Sequence, residues 1–202
     1  MRRLTIGVLI GGTSGEREVS LRTGRAVAAA LEEAGHAVSR IDLGAGPGAL
    51  LTLAYAQMDV AFVALHGRLG EDGCVQGMLE VLGVPYTGSD VLASALAMDK
   101  LKAKELFRLH NVPTPPYYEI TRADAAGDLA ELHGSFGYPT VVKPRREGSS
   151  IGLAKADDLG SLRAAVATAL EHDDSVLVER FVRGREVSVA LLDDRILGAI
   201  EI

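Results

Sequence analysis

The chain has 202 residues, of which 48% are hydrophobic and 24% charged, and this composition excludes intrinsic disorder as the basis of its function. The formal net charge of -6 is shared between residues 1–96 and 97–202, so we expect no nucleic-acid partner. A single cysteine and the absence of a long apolar run predict a soluble cytoplasmic protein with no disulfide, no export signal and no membrane partner.

The first predicted elements are a strand, a glycine-rich turn and a helix. Residues 4–10 form a short apolar run, residues 11–15 read GGTSG, and apolar residues at helical spacing continue to Gly35. Such a turn can hold a phosphate on the free amides of a helix start. Glu16 and Glu18 open the helix, where the helix dipole favours negative charge, so helix-end electrostatics is the simpler interpretation of both.

Two further strands are predicted at residues 37–43 and 60–65, and short helices at 50–57 and 75–82. This alternation predicts a parallel sheet with right-handed crossovers. His66 follows the second of these strands, at the edge where open α/β sheets present their ligand-binding groups. From position alone, a ligand-binding role and a structural role for His66 are both open.

For several other reactive side chains, a structural role explains the sequence at least as well as a catalytic or metal-binding role. Glu71 and Asp72 can ligate a metal, but adjacent acids before a helix suit a turn at least as well. Cys74 has no second cysteine at a useful spacing, which favours a buried thiol. His133 lies in a polar segment, which favours a solvated or capping group. The sequence therefore identifies no metal ligands.

From residue 99 onwards the pattern changes to antiparallel strands interleaved with helices. Strands are predicted at residues 117–120, 140–142, 151–155, 176–179, 186–192 and 195–202, and helices at 99–110, 123–132 and 159–170. This mixture predicts an α+β second domain. We therefore divide the chain into domains 1–96 and 97–202.

Lys143 ends an apolar strand and is followed by the loop GSSIG at residues 148–152. A Walker loop leads into a helix, whereas this loop is flanked by strands, so it is not one. Its amides, hydroxyl groups and nearby lysine suit a lid that closes on phosphates. An ordinary mobile surface hairpin explains the same residues equally well.

The segment from Glu179 to Glu186 connects two strands and carries Phe181 between two carboxylates. Such a connector suits a nucleoside, because backbone amides can meet the base, an apolar side chain can lie beneath it, and a carboxylate can accept from the ribose hydroxyls. A surface hairpin of ion-paired Glu and Arg residues is the alternative.

Five segments taken together strongly resemble the D-alanine–D-alanine ligases of the ATP-grasp superfamily. They are GGTSGEREVS at 11–20, ALHGRLGEDGCVQGMLE at 64–80, VPYTGSDVLASALAMDK at 84–100, VVKPRREGSSIG at 141–152 and VLVERFVRGREVSVA at 176–190. The resemblance runs in order along almost the whole chain. It implies a Rossmann-like parallel-sheet domain followed by an ATP-grasp central domain whose hairpin lid clamps ATP. It also implies cytoplasmic synthesis of D-alanyl-D-alanine for peptidoglycan.

The resemblance also implies roles for individual residues. Glu16 would hold the ammonium group of the first D-alanine, His66 would line the same pocket, and Ser149 would join Glu16 in a hydrogen-bonded set that fixes the lid. The nucleotide contacts would be Lys100, Lys143 and amides near Ser150 for the phosphates, the backbone of Glu179, Arg180, Phe181 and Val182 for adenine, and Glu186 for the ribose.

The implied reaction transfers the γ-phosphoryl group of ATP to the carboxylate of the first D-alanine, and the amine of the second then displaces phosphate. Such chemistry depends on positioning and charge neutralisation, for which lysines and Mg²⁺ are suited. The family continues well beyond this length, so the resemblance places the Mg²⁺ ligands after Ile202. We expect the 202-residue chain alone to be an inactive fragment. An unpaired strand edge at its end would also allow a homodimer.

Two alternatives stay open from the sequence. The first is another ATP-grasp carboxylate–amine ligase, including a variant that forms a D-alanine ester. The second is a non-catalytic nucleotide-binding module with Rossmann-like topology. Binding of NAD in place of ATP would favour the second alternative, and a thermal-shift comparison of the two nucleotides would separate them.

Overall fold

The structure, a computed structural model, describes residues 2–202. Its strands are β1 (Thr5–Ile10), β2 (Ala37–Asp42), β3 (Val60–Val63), β4 (Tyr117–Thr121), β5 (Thr140–Pro144), β6 (Ala154–Ala156), β7 (Ser175–Arg180), β8 (Val187–Leu192) and β9 (Arg195–Glu201). Its helices are α1 (Arg17–Glu33), α2 (Pro47–Tyr55), α3 (Cys74–Leu82), α4 (Val91–Met98), α5 (Lys100–Leu109), α6 (Arg122–Ala125), α7 (Leu129–His133) and α8 (Leu159–Ala169). Within residues 2–202, every helix is too short or too polar to cross a membrane.

The first sheet consists of three parallel strands in the order β2-β1-β3, which confirms the predicted parallel sheet. Strand β1 lies in the centre, and every residue from Ile6 to Ile10 is buried. Helix α1 packs closely on this strand, because a Cβ at Gly24 would collide with the side chain of Ile10. Glycine inside a helix costs about 1 kcal/mol relative to alanine, and here it allows the close approach. The carboxyl ends of β1 and β3 are thereby held at one edge of the sheet.

The second sheet consists of four antiparallel strands in the order β4-β7-β5-β6, which confirms the α+β prediction for this part of the chain. Its buried cluster is formed by Ile120, Leu129, Val142, Ala156, Leu162, Ala165, Val166, Ala169, Leu170, Val176 and Val178. Strands β5 and β6 form a hairpin whose loop spans residues 145–153. The remaining strands, β8 and β9, form an exposed two-stranded hairpin.

Helix α4 is absent from the predicted elements. Its sequence VLASALAM is apolar on nearly every side, so it lacks the periodicity that marks an amphipathic helix. Asp90 caps its start by accepting from the Ala93 amide (2.8 Å), and Asp99 ends α4 and caps α5. Because α4 runs across residues 96 and 97, the domain boundary proposed there stays a prediction.

Two predicted elements are shorter than expected. The helix predicted at 123–132 is divided into α6 and α7, with Gly127 between them and Asp128 capping α7. The strand predicted at 151–155 begins only at Ala154, since Leu153 N donates to Ser150 O (3.1 Å) and closes a turn there. In both places, local hydrogen bonds hold residues in turns where the residue pattern continues the predicted element, since Gly127 N also donates to Asp124 O (2.9 Å).

Two side chains lie in environments opposite to those predicted. The thiol of Cys74 is exposed at the start of α3, whereas the next two residues, Val75 and Gln76, are buried. His133 is buried, with 6% of its surface exposed, and its Nδ1 lies 2.7 Å from the Tyr118 hydroxyl. The ring of His133 also stacks on Tyr138 at 4.3 Å between centroids, which explains its burial.

Candidate functional site

Hydroxyl groups join the carboxyl ends of β1 and β3. Buried Ser20 donates from Oγ to Ala64 O (2.6 Å) and accepts from the Gly11 amide (2.9 Å). Ser14 Oγ donates to His66 O (2.8 Å). These bonds fix the glycine-rich turn, residues 11–15, against the loop after β3, residues 64–73. The turn and the loop together form one surface at the strand ends, which we call the Glu16 wall.

Glu16 lies where this wall meets the loop between β5 and β6. Its carboxylate accepts a hydrogen bond from Ser149 Oγ, across 133 residues of sequence. A Cβ at Gly67 would lie 3.0 Å from Glu16 Oε2, and one at Gly148 would lie 3.2 Å from the same oxygen. The carboxylate is therefore enclosed by two glycines and a hydroxyl group. The structure brings together Glu16 and Ser149, the two residues named for a shared hydrogen-bonded set.

The loop between β5 and β6 is built from two consecutive tight turns. Ile151 N donates to Gly148 O (3.0 Å), and the two residues inside this turn, Ser149 and Ser150, have φ angles of +47° and +59°. A turn with positive φ at both central positions normally carries Asn or Gly, because a Cβ is strained there. Two serines in this conformation store strain at the tip of the hairpin, as residues at ligand clamps often do.

His66 lies in the same wall, next to Glu71. Its Nδ1 is 3.9 Å from Glu71 Oε1, while Glu71 Oε2 accepts from the Gly67 amide (2.7 Å). His66 Nε2 is buried and has no hydrogen-bond partner among residues 2–202. Asp72 accepts from the Leu69 and Cys74 amides, so both acids of this loop serve its turn. His66 therefore offers one free ring nitrogen close to the Glu16 wall.

Three lysines and a buried glutamate form the second part of the site. Glu179, on β7, is 6% exposed, and its Oε1 lies 2.8 Å from Lys143 Nζ and 3.3 Å from Lys104 Nζ. Lys100 is close enough for its charge to interact with Lys143 and Glu179. Burial is the largest cause that lowers the pKa of Lys100, and repulsion from Lys143 adds to it. Positive charge is therefore concentrated around one carboxylate.

Lys100 connects the β5–β6 loop to the start of α5. Its backbone amide donates to Arg145 O (3.1 Å), and its ammonium group donates to Arg145 O (3.4 Å) and to Glu147 O. The Arg145 guanidinium in turn forms a bidentate pair with Asp99, at 2.7 Å for each bond. The start of the β5–β6 loop is thus fixed to the start of α5, the helix that carries Lys100 and Lys104.

These lysines line a cleft of about 470 Å³. Its lining is formed by Ala97, Lys100, Ala103, Lys104, Phe107, Val112, Pro113, Thr114, Pro115, Lys143 and Glu179. Cationic groups lie at one side and apolar side chains cover much of the rest, which suits a ligand with a charged and an apolar part. Lys104 is a lining residue that sequence reasoning missed. A lysine at the i+4 position from Lys100 on a capped helix was the available signal.

The connector after β7 contributes fewer free amides than predicted for a nucleobase. Arg180 N donates to Pro116 O (3.0 Å) and Phe181 N donates to Pro139 O (3.1 Å). The Arg180 guanidinium also lies 5.6 Å from the centre of the Phe136 ring. The connector is therefore held firmly against neighbouring segments, and two of its amides are used within the protein.

The remaining predicted nucleotide contacts lie toward the surface. Val182 is 64% exposed. Lys155 Nζ lies 5.5 Å from the centre of the Phe181 ring, so this ring already carries a cation on one face. Glu186 is exposed at the start of the β8–β9 hairpin, where its carbonyl oxygen accepts from the Ile202 amide (3.0 Å). The contacts of its carboxylate with a ribose stay a prediction.

The metal ion that the family resemblance implies is not assigned to the residues described. Within residues 2–202, no group of three or more His, Cys, Asp or Glu side chains is arranged to hold one. The positive charge around Glu179 is supplied by Lys104 and Lys143, with Lys100 nearby.

Comparison with known proteins gives consistent results. A family model described as "D-ala D-ala ligase C-terminus" matches residues 106–202, and one described as "D-ala D-ala ligase N-terminus" matches residues 48–89. The D-alanine–D-alanine ligase of Geobacter sulfurreducens is 48% identical over 202 residues, which is all of this chain and 62% of that protein. The chain belongs to the D-alanine–D-alanine ligase family. It spans about three fifths of the length of the curated relative named here.

Solved structures of this family have the same fold. A D-alanine–D-alanine ligase from Bacillus anthracis matches with a TM-score of 0.87 and 38% identity, over 98% of this chain and 64% of that one. A structure of the Bacillus anthracis ligase complexed with ATP matches with a TM-score of 0.83 and 34% identity, over 98% of this chain and 65% of that chain. The VanG D-Ala:D-Ser ligase from Enterococcus faecalis has a TM-score of 0.77 and 30% identity, over 97% of this chain and 68% of that chain. The ATP-grasp fold class is thereby confirmed.

Proposed function

We propose that the protein is an ATP-dependent ligase that joins two D-alanines for peptidoglycan synthesis. The observation that carries the proposal is the hydrogen bond between Glu16 and Ser149. It connects the glycine-rich turn of the first sheet to the hairpin loop of the second, and the same loop is bonded through Glu147 O to Lys100, which lines the lysine-lined cleft. Family membership supplies the reaction, and this contact supplies a place where an amino acid and a nucleotide can meet.

The first D-alanine would bind at the Glu16 wall. Its ammonium group suits the Glu16 carboxylate, which glycines enclose on two sides, because a charge-assisted hydrogen bond is stronger than a neutral one. The unpartnered Nε2 of His66 offers a further polar contact in the same wall. The carboxylate of the amino acid is then free to point toward the lysine-lined cleft.

ATP would bind in the lysine-lined cleft with its phosphates toward Lys100 and Lys143. These ammonium groups would neutralise charge on the phosphoryl oxygens during transfer to the carboxylate of D-alanine, and preorganised positive groups are the main catalytic tool in such reactions. The bond from oxygen of D-alanine to phosphorus forms as the bond to the β-phosphate oxygen breaks. The amine of the second amino acid then attacks the carbonyl carbon and releases phosphate.

The identity of the second amino acid is part of the proposal and rests on the family alone. One of the similar structures is described as a D-Ala:D-Ser ligase. D-Serine and D-lactate should therefore be compared with D-alanine as acceptors. A preference for D-lactate would favour the ester-forming alternative within the same superfamily.

The proposal also includes a cytoplasmic location and a homodimer. The exposed, unpaired thiol of Cys74 suits a reducing compartment. The homodimer stays a prediction. Sedimentation of the purified protein would measure the assembly.

The function is tested by phosphate release in the complete gene product. We expect release from ATP that depends on D-alanine and yields D-alanyl-D-alanine by mass spectrometry. Lys143→Ala should lower kcat about 100- to 1,000-fold, because one preorganised cationic donor typically contributes about 2.7–4 kcal/mol to the transition state. Lys102→Ala is the matched control, since Lys102 lies at the surface and pairs with Glu105. Near-normal kcat in Lys143→Ala would exclude the assigned role.

A further inference from the structure

Lys104 is the buried residue of helix α5. It is 5% exposed, while Lys100 and Lys102, on the same helix, are more accessible. Lysine is rarely buried to this extent unless its charge is paired. Burial is the largest cause that lowers the pKa of Lys104, and the nearby Glu179 carboxylate opposes it. The side chain therefore occupies a position that needs a specific partner.

The Lys104 ammonium group has partners in three directions. Nζ donates to Thr114 Oγ1 (2.6 Å) and lies 3.3 Å from Glu179 Oε1. It also lies 4.9 Å from the centre of the Tyr117 ring. These contacts hold the Lys104 side chain in the lining of the lysine-lined cleft. The Lys104 ammonium group is therefore fully occupied by contacts within the protein. The side chain of Lys143 is 23% exposed, so its ammonium group is the more accessible of the two.

Lys104 and Lys143 share a single oxygen of Glu179. If Lys143 turns toward a phosphate, the buried Glu179 carboxylate loses its closer cation, which lies at 2.8 Å. An uncompensated buried carboxylate is strongly disfavoured. A second cation that stays in place removes this obstacle, because Glu179 then keeps one partner while Lys143 moves.

We propose that Lys104 is a positioning residue that keeps the charge of Glu179 compensated and so releases Lys143 for the phosphates of the nucleotide. This inference rests on the proposed use of ATP and deepens it. It assigns two different tasks to two lysines that contact the same carboxylate: Lys143 would touch the phosphates, and Lys104 would act through Glu179.

The test is a set of variants measured by calorimetry with ATP and with adenosine. In Lys104→Met, Lys143 would stay on Glu179, so we expect ATP affinity to fall about tenfold or more, as for loss of one charged contact, with adenosine affinity unchanged. Lys104→Arg should keep most of the ATP affinity because it keeps the charge. Lys102→Met on the same helix is the control and should bind ATP like the wild type.

The decisive variant is the double substitution Lys104→Met with Glu179→Gln. With no carboxylate to retain it, Lys143 is free, so the double variant should recover the ATP affinity of Glu179→Gln alone. A purely structural role of Lys104 predicts no such recovery, and equal losses for ATP and adenosine would overturn the proposal. If Lys104→Met does not fold, Lys104→Gln supplies an uncharged hydrogen-bond donor in its place, and the same outcomes apply to it.

Failure of this inference and failure of the proposed function give different results. A wild-type protein that binds no ATP overturns the proposed function, and the role of Lys104 with it. A wild-type protein that binds ATP, together with a folded Lys104→Met variant of equal ATP affinity, overturns only the role of Lys104.

Discussion

Glu16 is the side chain for which the geometry gives the clearest expectation, because Gly67, Gly148 and Ser149 enclose its carboxylate. We expect Glu16→Gln in the complete gene product to weaken binding of the first D-alanine by about 1.5–3 kcal/mol, the value of a hydrogen bond to a charged group. ATP affinity should change little. Both affinities are measured by calorimetry.

The matched control for this substitution is Glu18→Gln. Glu18 is exposed in the first turn of the same helix, so its loss alters the helix-end charge without altering the enclosed carboxylate. Reduced ATP affinity with unchanged D-alanine affinity in Glu16→Gln would reverse the assignment of the two pockets.

Ser150 allows a separate prediction about strain at the hairpin tip. Its φ of +59° disfavours a residue with a Cβ by about 1–2 kcal/mol, and glycine removes this strain. Glycine also increases the entropy of the unfolded chain, which lowers the stability of the fold by about 0.5–1 kcal/mol. We therefore expect Ser150→Gly to raise the free energy of unfolding by about 0–1.5 kcal/mol, with a central value of about 0.75 kcal/mol, by these two estimates. Urea unfolding measures it. Ser150→Ala keeps the strain and should show no gain; equal values for both variants would refute the strain.

The β5–β6 hairpin is held at its base by Arg145, which contacts Asp99 through two bonds of 2.7 Å and Glu119 at 3.0 Å. Burial disfavours the charged form of Asp99, but the hydrogen bonds from Arg145 and from the Lys102 amide outweigh it and lower the pKa of Asp99. A carboxyl group with a lowered pKa in the folded state stabilises the fold above its ordinary pKa near 3.8, and this contribution is lost as the pH falls through the folded value.

We expect Asp99→Asn to lower the free energy of unfolding by about 1.5–3 kcal/mol at pH 7, because it removes a charge-assisted pair. The difference from the wild type should shrink as the pH falls below the ordinary pKa of the carboxyl group. Urea unfolding between pH 3 and pH 7 measures it, and hydrogen exchange should show faster opening of residues 145–153. A difference that does not vary with pH would mean that the Asp99 charge is not the cause.

The whole molecule contains separate buried clusters for its two main sheets, and the bond between Glu16 and Ser149 crosses from one part to the other. A nucleotide in the lysine-lined cleft should stabilise the chain, because the cleft exists only in the folded state and the ligand binds only that state. At a concentration of 100 Kd, ATP should add about 2.7 kcal/mol to the free energy of unfolding. This corresponds to a rise in Tm of about 5–11 °C for a chain of this size.

Differential scanning fluorimetry with ATP and with NAD at equal concentrations checks this prediction, because the ligand with the lower Kd then stabilises the chain more. Lys143→Ala should lose most of the ATP-induced rise, whereas Lys102→Ala should keep it. A larger stabilisation by NAD than by ATP would favour the Rossmann-like binding module over the ligase.

Local patterns in the sequence were enough to predict most strands and helices, because periodicity, caps and glycines act over a few residues. The apolar run of β1 and the Asp99 cap of α5 are examples. The family resemblance added the residues of the site, including Glu16 and Ser149. Helix α4 was missed because its apolar sequence has no periodic face.

Three-dimensional packing decided the burial and the charged neighbours of individual side chains, which no local sequence pattern contains. Lys104 is buried because β7 brings Glu179 beside it, and the same approach makes Lys104 and Lys143 share one carboxylate. His133 is buried because β4 brings Tyr118 beside its ring, where Phe136 and Tyr138 of the following loop also lie. The charge state and exposure of a side chain depend on the groups that folding places around it, and for Lys104 and Lys143 the decisive group, Glu179, comes from a distant part of the chain.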